Sequence, residues 1–235
     1  MYRFPMGRPL VLILIFFALL LLWDASGLDL VLARMVGAPD GFAWRENWFL
    51  VHVMHKGGKH LSWVIFIALL LAIFWPLGFM RRLDRRDRAQ LVIATVAALA
   101  LIAVMKRISH TSCPWSLREF GGAAQYISHW AWGVRDGGGG RCFPAGHASA
   151  AFAYLGGYFV WRRTAPAVAR GWLVCTLIAG LLFGLAQQWR GAHFMSHTLW
   201  TAWLCWVAGY AVDVWMRHGA ARPRAPMPCP PANQS

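Results

Sequence analysis

The sequence predicts an all-α integral membrane protein, a bundle of six transmembrane helices with both termini in the cytoplasm. Of the 235 residues, 58% are hydrophobic and 14% are charged, whereas a soluble domain carries about 25% charged residues. Apolar runs close to the roughly 20 residues that a bilayer-spanning helix needs recur along the chain. The six predicted spans are Leu10–Trp23, Leu61–Phe79, Gln90–Met105, Ala148–Trp161, Gly171–Trp189 and Thr198–Met216.

The net charge of +14 is divided among short basic segments. They precede the first span and follow the second, fourth and sixth, so all of them belong to one end of an even-numbered bundle. The positive-inside rule assigns that end to the cytoplasm. The charge therefore indicates topology and argues against nucleic acid as a partner. The basic residues of these segments are Arg3, Arg8, Arg81, Arg82, Arg85, Arg86, Arg88, Arg162, Arg163, Arg170, Arg217, Arg222 and Arg224.

The chain reads as one membrane domain over residues 1–219. The first span is similar to a signal peptide, but the residues after Trp23 make a poor cleavage site, so we expect an uncleaved anchor. Residues 220–235 are rich in proline, and we expect a disordered cytoplasmic tail. The role of the outer segment 24–60, which has an amphipathic stretch near Trp44–His55, stays open.

Polar residues at the outer ends of the spans predict a site. With the amino terminus inside, residues 24–60, 106–146 and 190–196 lie on the outer side. Lys106, His147 and His193 then reach one membrane level although they are far apart in the sequence. Functional groups that converge from several helix ends are what a binding or catalytic site requires.

The residue types at these ends indicate an anionic ligand. Gly146 and His147 begin a new apolar span, where free backbone N–H groups and an imidazole can meet an anion. Arg190, His193 and His197 are three and four residues apart, so they share one face of a helix. Two histidines at that spacing form either half of a metal site or a nucleophile with its orienting partner. Arg190 favours the second reading, because a guanidinium repels a metal ion and binds an anion.

The motifs at these positions resemble the type 2 phosphatidic acid phosphatase family, the membrane branch of a superfamily that includes vanadium haloperoxidases. Its first motif is Lys, six residues and Arg-Pro, and here Lys106 is followed after six residues by Cys113-Pro114. Its second motif, Pro-Ser-Gly-His, is matched by Pro144-Ala145-Gly146-His147. Its third motif ends in a His that is followed, after three residues, by an Asp. In this sequence His193 matches the His, and His197 occupies the place of the Asp.

The resemblance implies a mechanism without metal or cofactor. His193 would attack phosphorus and form a phosphohistidine. His147 would protonate the leaving oxygen and later activate water. Lys106, an arginine and the backbone around Ala145 and Gly146 would hold the phosphoryl oxygens.

Four positions depart from the family pattern, namely Cys113 for Arg, Ala145 for Ser, Gln187 for Arg and His197 for Asp. Arg190 follows Gln187 by nearly one helical turn and could bring a guanidinium to the same place. Arg141, just before the second motif, could replace the other lost arginine. His197 could hold His193 as a neutral acceptor.

Two cysteines beside the motifs predict a disulfide. Cys113 and Cys142 both lie on the outer, oxidising side of the membrane. We expect them to be bonded, with two free thiols as the alternative. Cys175 and Cys205 lie within spans and read as inert thiols.

Together these observations predict a phosphatase that hydrolyses a lipid phosphate or diphosphate at the periplasmic face of a bacterial inner membrane. Its partners would be the bilayer and the lipid substrate. Two alternatives stay open. One is a non-catalytic lipid-binding or transport homologue. The other is a metal-binding membrane protein that uses the outer histidines His110, His129, His147, His193 and His197.

Overall fold

The structure is a computed structural model that describes residues 7–131 and 133–220. The predicted tail from residue 221 onward lies outside the described residues, as do Arg3 and Cys229. The α-helices are α1 Gly7–Ser26, α2 Leu28–Arg34, α3 Gly58–Ala72, α4 Arg85–Ile108, α5 Ser149–Phe152, α6 Gly157–Thr164, α7 Pro166–Trp189 and α8 Met195–Ala220. The strands β1 Gly37–Ala38 and β2 Gly41–Phe42 form an antiparallel hairpin, and Phe49–Gly57 is a π-helix that runs into α3.

Each predicted span coincides with helix, which confirms the mostly helical class. Within the described residues, three helices are long and apolar enough to cross a membrane, namely Pro9–Ser26 of α1, α4 and α7. The six-span count and the cytoplasmic termini stay predictions. The second span was predicted to reach Phe79, but α3 ends at Ala72, shortly before Pro76, because proline disfavours helix at and before its position. The fourth span is divided into α5 and α6 by a 3₁₀ turn, Ala153–Gly156.

Helix α8 packs against α4 and against the 3₁₀ turn. At this crossing Gly156 and Gly209 face each other, and a Cβ added to Gly209 would lie 2.6 Å from the Cα of Gly156. Helices in membranes associate closely through small residues of this kind. Because neither glycine has a side chain, α8 can lie close to the 3₁₀ turn between α5 and α6.

One end of the bundle is held by a buried carboxylate. Asp213 of α8 is fully buried and pairs with Arg162 at 2.9 Å, Arg163 at 3.1 Å and Arg217 at 2.7 Å. Gln90 of α4 donates to the same carboxylate at 3.0 Å. The network joins α4, α6 and α8 at the end that carries most of the basic residues.

The other end gathers the carboxyl ends of α1, α4 and α7 with the amino ends of α5 and α8. Here Asp29 of α2 accepts from the backbone N–H of Ser196 at 2.9 Å and also from the Ser196 hydroxyl. An acidic side chain that caps a first helical turn satisfies free N–H groups and complements the helix dipole. The outer segment 24–60, whose role the sequence left open, thus fixes the start of α8.

Replacement of Asp213 by Asn is expected to lower the free energy of unfolding by about 3 kcal/mol, because three arginines lose a buried counter-charge. The change is measured as thermal unfolding of the purified protein in detergent. The matched control is Asp87→Asn, since Asp87 pairs with Arg163 at a more exposed position and should cost about 1 kcal/mol or less. Equal losses in the two variants would contradict this role for Asp213.

Candidate functional site

The loops between the helices bring the predicted residues of three motifs together. The ring centroids of His147 and His193 are 6.3 Å apart, and those of His193 and His197 are 5.8 Å apart. Lys106, in the last turn of α4, reaches the second motif, because a Cβ added to Gly146 would lie 3.4 Å from its ammonium nitrogen. A cation, a glycine backbone and two imidazoles therefore surround one point.

Arg190 is buried beside this point and held in place. Its Nε donates to the carbonyl of Arg45 at 2.8 Å, and one terminal nitrogen donates to the side-chain oxygen of Gln187 at 3.1 Å. Gln187 occupies the place of the arginine in the family motif, and here it orients the guanidinium of Arg190 instead. The positive charge of Arg190 thus lies near the histidines, although position 187 itself carries a neutral glutamine.

The structure gives Ala145 and Arg141 other surroundings. The N–H of Ala145 donates to the carbonyl of His197 at 3.2 Å, so this amide joins two motifs. Arg141 is exposed, with a left-handed backbone at φ 60°, and its N–H donates to the carbonyl of Ser109 at 2.9 Å. Its part in binding phosphate stays a prediction.

His193 is buried and oriented by Cys142. Its Nδ1 lies 3.5 Å from the sulfur of Cys142, and the backbone carbonyl of Cys142 is close enough to act on the pKa of the ring. Burial, followed by the neighbouring His197, lowers the pKa of His193 well below its usual value. The ring is therefore neutral at pH 7, and with Nδ1 turned to Cys142, its other nitrogen is available as a nucleophile.

His197 was expected to hold His193 as an acceptor, but the contacts of the described residues give this part to Cys142. The Nδ1 of His197 is buried without a hydrogen-bond partner among those residues. The Cys142 carbonyl interacts with the His197 ring as well as with the His193 ring. A backbone carbonyl has no residue-type signal, so the sequence could not indicate this role.

The two outer cysteines are bonded in the structure. The disulfide joins Cys113 to Cys142 with their Cα atoms 5.2 Å apart. The Cys142 sulfur also lies 2.9 Å from the Ala192 carbonyl oxygen. Close by, the Trp115 N–H donates to the Gly191 carbonyl at 2.9 Å. The outer loop is therefore fastened to the loop that carries His193.

A second histidine and several cations surround His147. The ring of His55, from the π-helix, lies 3.8 Å from the ring of His147 between centroids. Burial, followed by His55, Lys106, Arg190 and Lys59, lowers the pKa of His147 to about 3. In the free protein His147 is neutral, and a bound anion would favour its protonated form. Sequence reasoning did not assign His55 to the site, because a π-helix has no sequence signature.

For the metal-binding alternative, the candidate ligand group among the described residues is Cys142, His193 and His197. Their ligand atoms lie within 4.8 Å of one another. Zinc and similar ions bind cysteine as a thiolate. Because the Cys142 sulfur belongs to a disulfide, this group offers two imidazoles and no thiolate. Its donor set fits a metal ion poorly.

A family model described as the PAP2 superfamily matches residues 88–219, more than half of the chain. The chain belongs to the PAP2 superfamily. The match covers all three motifs and confirms the resemblance drawn from them. Membership indicates a phosphatase-type activity, and together with the apolar helices it indicates a membrane protein. Searches of curated proteins and of solved structures give no significant match.

The free PAP2 protein is expected to lose stability as the pH falls from about 6.5 toward 4. The pKa of His147 is about 3 in the folded protein and about 6.5 in an unfolded chain, so the unfolded chain binds more protons in this window. His193 acts in the same direction. Thermal unfolding in detergent across this range measures the slope, and His147→Asn should make it shallower. An unchanged slope in that variant would contradict the burial of a neutral His147.

The disulfide is expected to support activity. In a background with Cys175, Cys205 and Cys229 replaced by alanine, a maleimide should label Cys113 and Cys142 only after reduction. Reduction should also lower phosphatase turnover, because the Cys142 carbonyl that orients His193 is then less constrained. Labelling without reductant would show that the bond does not form.

Proposed function

We propose that this PAP2 protein hydrolyses a lipid phosphate or diphosphate through a phosphohistidine on His193. The observation that carries the proposal is a neutral, buried His193, oriented by Cys142 and facing a point lined by Lys106, Gly146 and His147. A nucleophile with a fixed lone pair, a proton donor and fixed cations are the parts that phosphoryl transfer needs.

In the first step, the free ring nitrogen of His193 attacks phosphorus. The bond from phosphorus to the leaving oxygen breaks as a nitrogen–phosphorus bond forms, and His147 gives its proton to the leaving oxygen. His147 carries this proton only with substrate bound, because the phosphate charge offsets the surrounding cations and raises its pKa. Lys106 and Arg190 hold the non-bridging oxygens.

In the second step, His147 takes a proton from water as the water oxygen attacks phosphorus. The nitrogen–phosphorus bond breaks, inorganic phosphate forms, and His193 returns to its neutral state. The same imidazole therefore serves first as acid and then as base, which requires it to exchange one proton per half-reaction.

An apolar groove supports a lipid as the substrate. It lies between α3, α5, α7 and the 3₁₀ turn and encloses about 700 Å³. Its lining includes Gly58, three residues after His55, and Ala150, three residues after His147. We call it the tail groove, because a hydrocarbon chain within it would reach the histidines at one end. Its lining also includes Leu61, Ile65, Phe79, Ala151, Tyr154, Trp172, Thr176, Ala179 and Phe183.

The outer face of a bacterial inner membrane is the proposed place of this reaction. The basic segments predicted to be cytoplasmic, such as those around Arg85 and Arg162, lie at the end of the bundle opposite the histidines, as the positive-inside rule expects. The disulfide beside the histidines suits an oxidising compartment.

The deciding experiment measures phosphate release from lipid phosphates by purified protein in detergent with EDTA present. Wild type should turn over, and His193→Ala should lose activity by about 10³-fold or more, since the nucleophile itself is removed. Acid-labile, base-stable phosphate on the protein would identify the intermediate. His60→Ala, an exposed outer histidine, is the matched control and should keep its activity. Turnover that EDTA abolishes, or lipid binding without turnover, would overturn the proposal.

A further inference from the structure

The π-helix and the first turn of α3 add two basic residues to the site, His55 and Lys59. His55 lies against His147 at 3.8 Å between ring centroids, and its Nδ1 is buried without a hydrogen-bond partner among the described residues. π-Helical segments are rare, and those that do occur are often found at functional sites. The irregular backbone of Phe49–Gly57 therefore brings a second imidazole against the proton donor, with the two ring planes inclined by 40°.

Lys59 extends this feature. It follows His55 by four residues in a continuous helix, so the two side chains project from the same face. Lys59 and Arg190 both interact electrostatically with His55 and with His147. Gly58 presses this part of the helix against α7, because a Cβ at Gly58 would lie 2.8 Å from the ring of Phe183. The position of Lys59 is thus held by close packing.

The charged groups that act on His147 are positive, although Arg190 also has the carboxylate of Glu46 nearby. Among the described residues, every charged group that acts on His147 is a cation or a second imidazole. Burial, followed by Arg190, Lys59 and Lys56, also lowers the pKa of His55. Like charges held together raise the free energy of the empty site, and a ligand with more negative charge than a single phosphate group relieves them more fully.

We propose that His55 and Lys59 form a second phosphoryl-binding subsite and that the substrate is a lipid diphosphate. The terminal phosphoryl group reacts at His193, and the inner one lies on His55 and Lys59. The inference rests on the proposed phosphatase function and deepens it.

The tail groove agrees with this order of groups. Gly58, one of its lining residues, is the neighbour of Lys59 in the chain. A substrate that extends from His193 past His55 and Lys59 therefore enters the groove directly with its hydrocarbon chain. The bridging oxygen then lies beside His147, which protonates it as the leaving group.

The test compares kcat/KM for farnesyl diphosphate and farnesyl phosphate, which share a hydrocarbon chain. Wild type should prefer the diphosphate. Lys59→Ala and His55→Ala should each lower kcat/KM for the diphosphate about tenfold or more, the effect of losing a charge-assisted hydrogen bond. They should lower the monophosphate value by a smaller factor, so the preference for the diphosphate over the monophosphate should fall. The matched control is His60→Ala, an exposed residue next to Lys59 in α3 that is not among the groups acting on His55 or His147. It should change both values equally.

A binding measurement separates the two proposals. Methylenediphosphonate, which cannot be hydrolysed at its bridge, should bind the His193→Ala protein more tightly than inorganic phosphate does, and Lys59→Ala should remove the difference. Turnover of both farnesyl substrates with equal losses in the Lys59 variant would overturn the second subsite and leave the phosphatase proposal standing. No turnover of either substrate would overturn the phosphatase proposal. Equal binding of the two anions would then overturn the subsite as well.

Discussion

The arrangement of the site depends on a buried backbone link between two motifs. The Ala145 N–H donates to the His197 carbonyl at 3.2 Å, and the Thr201 hydroxyl donates to that carbonyl at 2.7 Å and to the Ala145 carbonyl at 3.3 Å. This link fixes the loop before His147 against the first turns of α8. Asp29 then holds the start of α8, and the disulfide holds the loop on the other side. Catalytic groups that are kept rigid by such surrounding contacts need little rearrangement when the substrate arrives.

This rigid frame holds groups that repel one another when charged. Burial is the main reason that His147 and His193 stay neutral in the free protein, and the neighbouring Lys106 acts in the same direction. For His193 this is the state that a nucleophile needs. For His147 it is the wrong state for an acid, and the phosphate itself corrects it by adding negative charge. In the proposed mechanism, substrate binding therefore creates the proton donor, so binding energy is directed to the reacting centre.

The sequence predicted the convergence of Lys106, His147, His193 and Arg190 from topology alone, since each lies at the same end of a span. The broken fourth span was missed because its composition is as apolar as that of a continuous helix. Asp29 was missed because it caps a helix that begins 166 residues later in the chain.

The parts played by His55 and Cys142 lay beyond sequence reasoning for a different physical reason. One depends on the geometry of a π-helix, which shifts the face that a residue occupies by comparison with an α-helix. The other depends on a backbone carbonyl, which every residue possesses. Patterns of side chains report neither.

The replacement of the family aspartate by His197 moves a carboxylate rather than removing it. His129 lies near His197, with ring centroids 6.0 Å apart, and its Nε2 is 3.2 Å from the Asp24 carboxylate. Two indoles, Trp130 and Trp200, donate to the same carboxylate at 2.9 Å each.

The negative charge of Asp24 thus lies two imidazoles away from His193. A carboxylate in direct contact would favour the protonated, non-nucleophilic form of that ring. At this greater distance the charge still offsets part of the positive potential around His197, while His193 keeps its lone pair. In the proposed mechanism, Cys142 orients His193 and Asp24 compensates charge near His197, so two residues take the part that the resemblance assigns to one aspartate.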